Sequence, residues 1–354
     1  MGYSADDIGV LEGFESVPRR TTMYLEDVDE AGLLYCVLLV VGLAYDQHIA
    51  GRCSTISVEV AGHGTVTVED DGPGLRAQAA RTRCDLDALL TSLTSGPRRA
   101  PGQLVDGVSG LAIVNALGER LEISTVSDGI CAHAVYSRGK RIQAMTSAPT
   151  QQASGTTIRF LPDAEIFRVP RVSRTALTAR LDELAFLAPR LRLRWSFAAD
   201  AFIAAGLAGR VATIARCAVG DVAHHRATYT APSGPLEVEV ALAWRASDAD
   251  EAVVERFVNF ERTQRFDFDV DRGLLEGIRR VLEPDGGRSA RTALPDGLVA
   301  CVAVVTRELP AVQTVLRPSL QHAREPIAEV TQAALARGAE SHADAIEPLR
   351  RRAE

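Results

Sequence analysis

Hydrophobic and polar positions change their period several times along this chain. Leu33 to Tyr45 is a nearly unbroken apolar run that turns polar at Asp46, Gln47 and His48, and residues 31–50 fit one helix. The run is shorter than the roughly 20 apolar residues that span a bilayer, so it predicts a core helix. TISVEV (55–60) and GTVTVE (64–69) then alternate apolar and polar at period two around the turn AGHG, which predicts a β-hairpin. Residues 76–110 are rich in Arg, Gly, Ser and Pro and read as a looser segment. LAIVNAL (111–117) reads as a helix, and LEISTV (121–126), CAHAVYS (131–137), RIQAMTS (141–147) and TTIRFLP (156–162) read as strands. A helix is expected over 174–188. The pattern resets around 200–210, which divides the chain into domains 1–200 and 201–354. In the second part LEVEVALAW (236–244) and GLVACVAVVT (297–306) predict strands, 274–282 and 319–338 predict helices, and 283–297 a loop.

A length of 354 residues suits two or three domains, and 46% hydrophobic with 24% charged residues is ordinary for a globular protein. The net charge of −7 argues against a general nucleic-acid-binding surface, which is usually basic. The six cysteines show no CxxC or other metal spacing and read as small core residues of a reduced, cytoplasmic protein. MGYSADD lacks a basic segment leading into an apolar one, so no signal peptide and no membrane association are expected.

Particular motifs add a resemblance. YSADDIGVLEGFESVPRRTTMY (3–24), IAGRCSTISVEV, VEDDGPGL, IVNALGERLEI, GTTIRFLPDAEIF and RLDELAFL resemble the ATPase domain of DNA gyrase B, a GHKL-family domain with the Bergerat ATP-binding fold. LEVEVALAW, ERFVNF and ELPAVQTVLRPSL resemble the transducer domain that follows it. The resemblance covers essentially the whole chain. It implies an α+β protein in which a Bergerat-fold α/β sandwich precedes a ribosomal S5-like transducer, with nothing corresponding to a toprim domain.

Departures from the family pattern bear on function. In the family the long helix carries a Glu that polarises the attacking water and, four residues on, an Asn that ligates Mg²⁺. The matching positions here are Leu39 and Leu43, with Gly42 at the intervening Asp position. A leucine neither accepts a proton nor offers oxygen to a hard cation. In the DNGRGI-type motif the first Asp accepts the adenine amino hydrogen; here the motif is DDGPGL, that residue is Asp70, and Gly72 and Gly74 are kept. The family's Arg is Pro73, and the Glu that pairs with it is Gln47, so both halves of that ion pair are absent together. Thr156 matches the threonine that supports the Asp. The phosphate loop is altered (GQLVDGVSG, with Gly107 and Gly110 kept and Asp106 added), and the lysine position of the QTK loop is Val315 after Gln313 and Thr314.

The expectation is a gyrase B-like protein without ATP hydrolysis, cofactor or metal. Its pocket would be relined with Leu39, Val40, Leu43 and Val108 to take an apolar small molecule, since apolar relining avoids the roughly 1–3 kcal/mol cost of each unpaired buried polar group. Asp70, Gly74 and Thr156 would form the floor. Asp70 or Asp71 would be the acid–base group of a cyclisation or isomerisation within secondary metabolism, with His48 and Tyr136 as weaker candidates. The alternative is a non-catalytic decoy or regulator of gyrase, or a self-protection protein against gyrase B inhibitors, which would put gyrase subunits among its partners. The resemblance also implies a homodimer through an N-terminal arm in which Tyr3, with Ile8 as anchor, covers the partner's pocket.

Overall fold

A computed structural model describes residues 13–25, 27–75, 86–93, 109–197, 205–231, 234–245, 251–263, 267–282, 293–306 and 320–341. The chain divides into two compact units, Met1–Glu183 with Arg190–Ile203, and Leu184–Pro189 with Ala204–Glu354.

The first unit starts with a short helix α1 (Ser16–Arg19) and the long helix α2 (Glu30–Ile49). Asp29 starts α2 by accepting the amides of Ala31 and Gly32 at 2.8 and 3.4 Å, so two otherwise orphaned donors are satisfied. Strands β1 (Thr55–Val60) and β2 (Val66–Asp70) form the expected hairpin. β2 starts two residues later than the alternation suggested, because Gly64 is used by the turn at φ 96° and its amide donates to Ala61 O. Within the supposedly loose segment lies a helix, α3 (Leu86–Thr91), and α4 (Ser109–Leu117) follows. Strands β3 (Gly118–Ser127), β4 (Ile130–Ser137), β5 (Lys140–Pro149) and β6 (Gly155–Pro162) precede α5 (Arg174–Leu187) and β7 (Arg192–Trp195). The sheet order is β5-β4-β3-β6-β2-β1-β7, antiparallel except for the β1–β7 pair. β7 went unread in the sequence because four alternating residues, RLRW, are too few to stand out. Ile56, Val58, Val66, Val68, Leu121, Ile123, Ile158 and Phe160 alternate inward along their strands and are buried.

α2 packs against α4, β1 and β2. It is apolar on nearly all sides because it is enclosed, with Leu33, Val37, Val40, Val41, Ala44 and Tyr45 buried. By length and composition it qualifies as a membrane span, yet 61% of the qualifying window is buried inside the protein, as the shorter apolar run already suggested.

The second unit contains α6 (Gly206–Ala215), β8 (Ala223–Ala231), β9 (Gly234–Trp244), β10 (Val253–Val258), β11 (Glu261–Arg262), α7 (Asp267–Leu282), β12 (Leu298–Val305) and α8 (Arg324–Ser341). Its sheet order is β11-β10-β12-β9-β8, with β10 and β12 parallel. α7 starts earlier than read, because its first turn, DFDV, interleaves two aspartates with Phe268 and Val270. α8 starts later, after a 3₁₀ turn at Gln321–Ala323. Val238, Val240, Leu242 and Val302 of the sheet bury against Leu274 and Ile278 of α7 and Ile327 and Val330 of α8.

Candidate functional site

The site is built around the C-terminal end of β2. Asp70 is the last residue of that strand and stands opposite Thr156 of β6, which in turn stands opposite Thr125 of β3. Three polar residues therefore lie in one row across three adjacent strands. The Thr125 and Thr156 hydroxyl oxygens are 3.2 Å apart, and both residues are buried. Thr125 Oγ1 also accepts the Leu75 amide at 2.7 Å and so ties down the chain leaving the DDGPGL turn. Thr125 was missed from the sequence; the signal was register, since LEISTV and TTIRF place the two threonines side by side once paired.

The turn itself is shaped by glycines. The Gly72 amide donates to Asp70 Oδ1 at 2.8 Å. Gly74 has φ 73°, and a Cβ there would lie 2.0 Å from Val126 O, so only glycine lets this loop lie flush on β3. Burial pushes the Asp70 carboxyl up to about 6, with the neighbouring Asp71 and Glu69 charges adding to it, while the Gly72 and Thr156 amides oppose it.

Asp71, one residue on, is engaged differently. Its carboxylate accepts the Ser54 amide at 2.7 Å, the Ser54 hydroxyl and the Thr55 amide at 2.9 Å, closing the entry to β1. Burial works against ionisation, but these donors outweigh it and hold the carboxyl well below the usual range. A carboxylate so held is a poor proton carrier near neutrality, so of the two candidate acid–base groups Asp70 alone has the suitable chemistry. His48 and Tyr136 are also committed: His48 Nδ1 lies 2.8 Å from Cys53 O, and the Tyr136 hydroxyl donates to Asp87 Oδ1 at 2.7 Å, fastening α3 to the outer strands.

The helical side is supplied by α2. Leu39, Leu43 and Gln47 are spaced i, i+4, i+8 and share a face. The Gln47 end of that face meets the turn, because a Cβ on Gly72 would sit 3.6 Å from Gln47 Cβ. Leu39 and Val40 are buried and Leu43 is half-buried. Gln47 Oε1 is buried and accepts no hydrogen bond among the described residues. No three His, Cys, Asp or Glu side chains gather as a metal site among the described residues. Tyr3, Ile8, Asp106, Gly107, Val108, Gln313, Thr314 and Val315 lie outside the described residues.

An enclosed helix over a mixed sheet, with an Asp–Gly turn at its floor and a second α+β unit after it, defines the class: a GHKL-type ATPase fold followed by a transducer fold. The 43K ATPase domain of Thermus thermophilus gyrase B, solved in complex with an aminocoumarin, superposes with a TM-score of 0.76 at 21% identity, covering 97% of this chain and 94% of that one. The DNA gyrase B protein of Myxococcus xanthus superposes with a TM-score of 0.74 at 24% identity, covering 96% and 99%. The topoisomerase IV ATP-binding domain of Francisella tularensis, solved with a small-molecule inhibitor, gives 0.72 at 20% identity, covering 97% and 96%.

By sequence the chain is a homologue of DNA gyrase B. It is 32% identical to that of Synechocystis sp. over 296 residues, covering 79% of this chain and 27% of that protein. It is 30% identical to that of Thermotoga maritima over 279 residues, covering 74% and 43%. The chain thus spans well under half the length of these relatives. No family model matches it.

Proposed function

We propose that this gyrase B-like fold binds an apolar small molecule at the Asp70 floor, and does not hydrolyse ATP. The observation that carries the reading is the opposition of two surfaces. The Asp70–Thr156–Thr125 row offers one poised carboxyl and two hydroxyls. On the α2 face that carries Gln47, Leu39 and Leu43 stand where the family resemblance places the water-polarising carboxylate and the metal ligand. These residues do not fit Mg²⁺-ATP: the α2 face carries no oxygen ligand on the two turns before Gln47. An apolar wall with a few placed polar groups is the usual make-up of a small-molecule pocket. The aminocoumarin and inhibitor bound by the Thermus and Francisella proteins support a non-nucleotide ligand for the fold. A carboxyl titrating near 6 is able both to donate and to accept a proton at neutral pH, so a metal-independent cyclisation or isomerisation is the chemistry that fits, with Asp70 as its acid–base group.

A second reading draws on the gyrase kinship and the aminocoumarin: a non-catalytic protein that protects or regulates gyrase by holding the same inhibitors. In both readings the protein is cytoplasmic, a homodimer through its N-terminal arm, and without direct nucleic-acid contact.

The test has two parts. A phosphate-release assay with Mg²⁺-ATP should show no EDTA-sensitive turnover; turnover comparable to gyrase B would sink the proposal. Calorimetry with an aminocoumarin should show binding that Asp70→Asn weakens by about 1.5–3 kcal/mol, the value of a charge-assisted hydrogen bond. Equal affinity in the two proteins would mean that the floor is not the site. Conversion of the bound compound supports the enzymatic reading, and binding without conversion the protective one.

A further inference from the structure

A separate feature lies in the second unit, on the outer face of α7. Arg272, Glu276 and Arg279 follow one another at i, i+4, i+7 and so share a side of the helix. With Arg324 and Glu325 from the start of α8, they line a cleft of about 460 Å³. The cleft exists because α7 and α8 approach closely at their glycines: a Cβ on Gly273 would lie 2.7 Å from Ile327 Cβ, and one on Gly277 would lie 2.5 Å from Ala328 O. The longer side chains on either side then border an open groove.

The charges in this groove are unevenly matched. Glu325 takes Arg280 at 2.7 and 2.8 Å, and Glu276 takes Arg280 at 3.3 Å. Arg324 is taken by Asp269, at 2.7 Å from Nε. Arg272 and Arg279 have no carboxylate partner among the described residues. Arg279 also lines the cleft, although its Nε is enclosed by protein and donates to nothing among the described residues. Arg272 stacks its guanidinium 3.9 Å from the centroid of the exposed Phe268 ring. Stacking uses the flat face of the guanidinium and leaves its in-plane N–H groups unspent. Two arginines without a carboxylate partner therefore border one cleft, from helix positions two turns and roughly 10 Å apart.

We propose that this cleft is a binding site for a small phosphate-class oxyanion, held by Arg272 and Arg279. The fork of an arginine matches two oxygens of one phosphate or carboxylate. Glu276 and Glu325 on the flanks limit the occupant to a compact anion, since an extended phosphate backbone would run over both carboxylates. The overall charge of −7 points the same way. The inference is independent of the reading of the Asp70 floor.

Inorganic phosphate, titrated into the full chain at constant ionic strength, provides the test. Arginine Nε–Hε resonances should shift along a saturating curve, with one phosphate bound per chain by calorimetry. Arg279→Gln and Arg272→Gln each remove one guanidinium from the cleft and should each weaken binding about tenfold, the value of one strong paired hydrogen bond. Arg226→Gln, on a strand outside the cleft, should leave the affinity unchanged. Glycerol phosphate binding more tightly than inorganic phosphate at the same residues would identify the source as a phosphomonoester, and the reverse order would identify free phosphate; either supports the site. Non-saturating shifts that follow ionic strength alone, or equal affinity in the wild type and Arg279→Gln with both folded by circular dichroism, overturn it.

Discussion

Asp70 and Asp71 are neighbours with opposite relations to water, and their opposite titrations should be separable. The Asp70 carboxyl is raised by burial from 3.8 to about 6. A raised carboxyl stabilises the fold below the ordinary value near 4 and loses that contribution as pH climbs through about 6. Asp70→Asn should therefore be more stable than wild type at pH 8, by about 3 kcal/mol at roughly 1.4 kcal/mol per unit. The gap should close at pH 4. Asp71 has the reverse sign: its carboxylate is held down by the Ser54 and Thr55 donors. Asp71→Asn should destabilise at neutral pH, with the loss fading as acid drops below the ordinary carboxylate range. Urea unfolding at pH 8 and 4 checks the first and at pH 7 and 2 the second, and parallel behaviour of the two variants would contradict this account. From sequence the two aspartates were indistinguishable as acid–base groups. What separates them is the set of donors that pairing of the β1–β2 hairpin brings from Ser54 and Thr55.

At the scale of elements, the close contact of α7 with α8 makes a sign prediction. Glycine to alanine inside a helix normally stabilises by up to about 1 kcal/mol. At Gly277 the new methyl would meet Ala328 O and Thr331 Cβ, both at 2.5 Å. Overpacking of that kind costs about 1–3 kcal/mol, so Gly277→Ala should lower the unfolding midpoint. A raised midpoint would show that the helices separate freely. The β1–β2 hairpin and β9 were legible in the sequence because a period of two ran through them, and α2 because its apolar run is too long for a strand. β7 and α6 were not: one is four residues long, and the other, GLAGRVATIA, is a helix of small residues whose burial comes from tertiary packing.

For the whole molecule, the proposed exchange of N-terminal arms should be visible by mass. Deleting residues 1–10 should convert a dimer to a monomer in light scattering at tens of micromolar, an isologous contact being lost twice by one change. A full-length chain that is monomeric with and without ligand would refute the exchange. The floor of the site could be read from the sequence only in part. Asp70 and Thr156 were visible as motif residues, and Thr125 needed the strand register.

β7 is the strand that arrives last in its sheet, and it comes from far along the chain. It pairs parallel with β1 through Arg192 N to Ser54 O and Ser196 N to Val58 O, and the Ser196 hydroxyl accepts the Val60 amide at 2.7 Å. During synthesis the β1 edge is therefore made early and stays unpaired until nearly the whole first unit has left the ribosome. Parallel, long-range closure of this kind forms slowly because the intervening chain must be ordered first. A ribosome that stalls just short of Arg192 leaves a bare hydrogen-bonding edge beside Ile56 and Val58, the type of surface on which nascent chains stick to one another and to which chaperones bind.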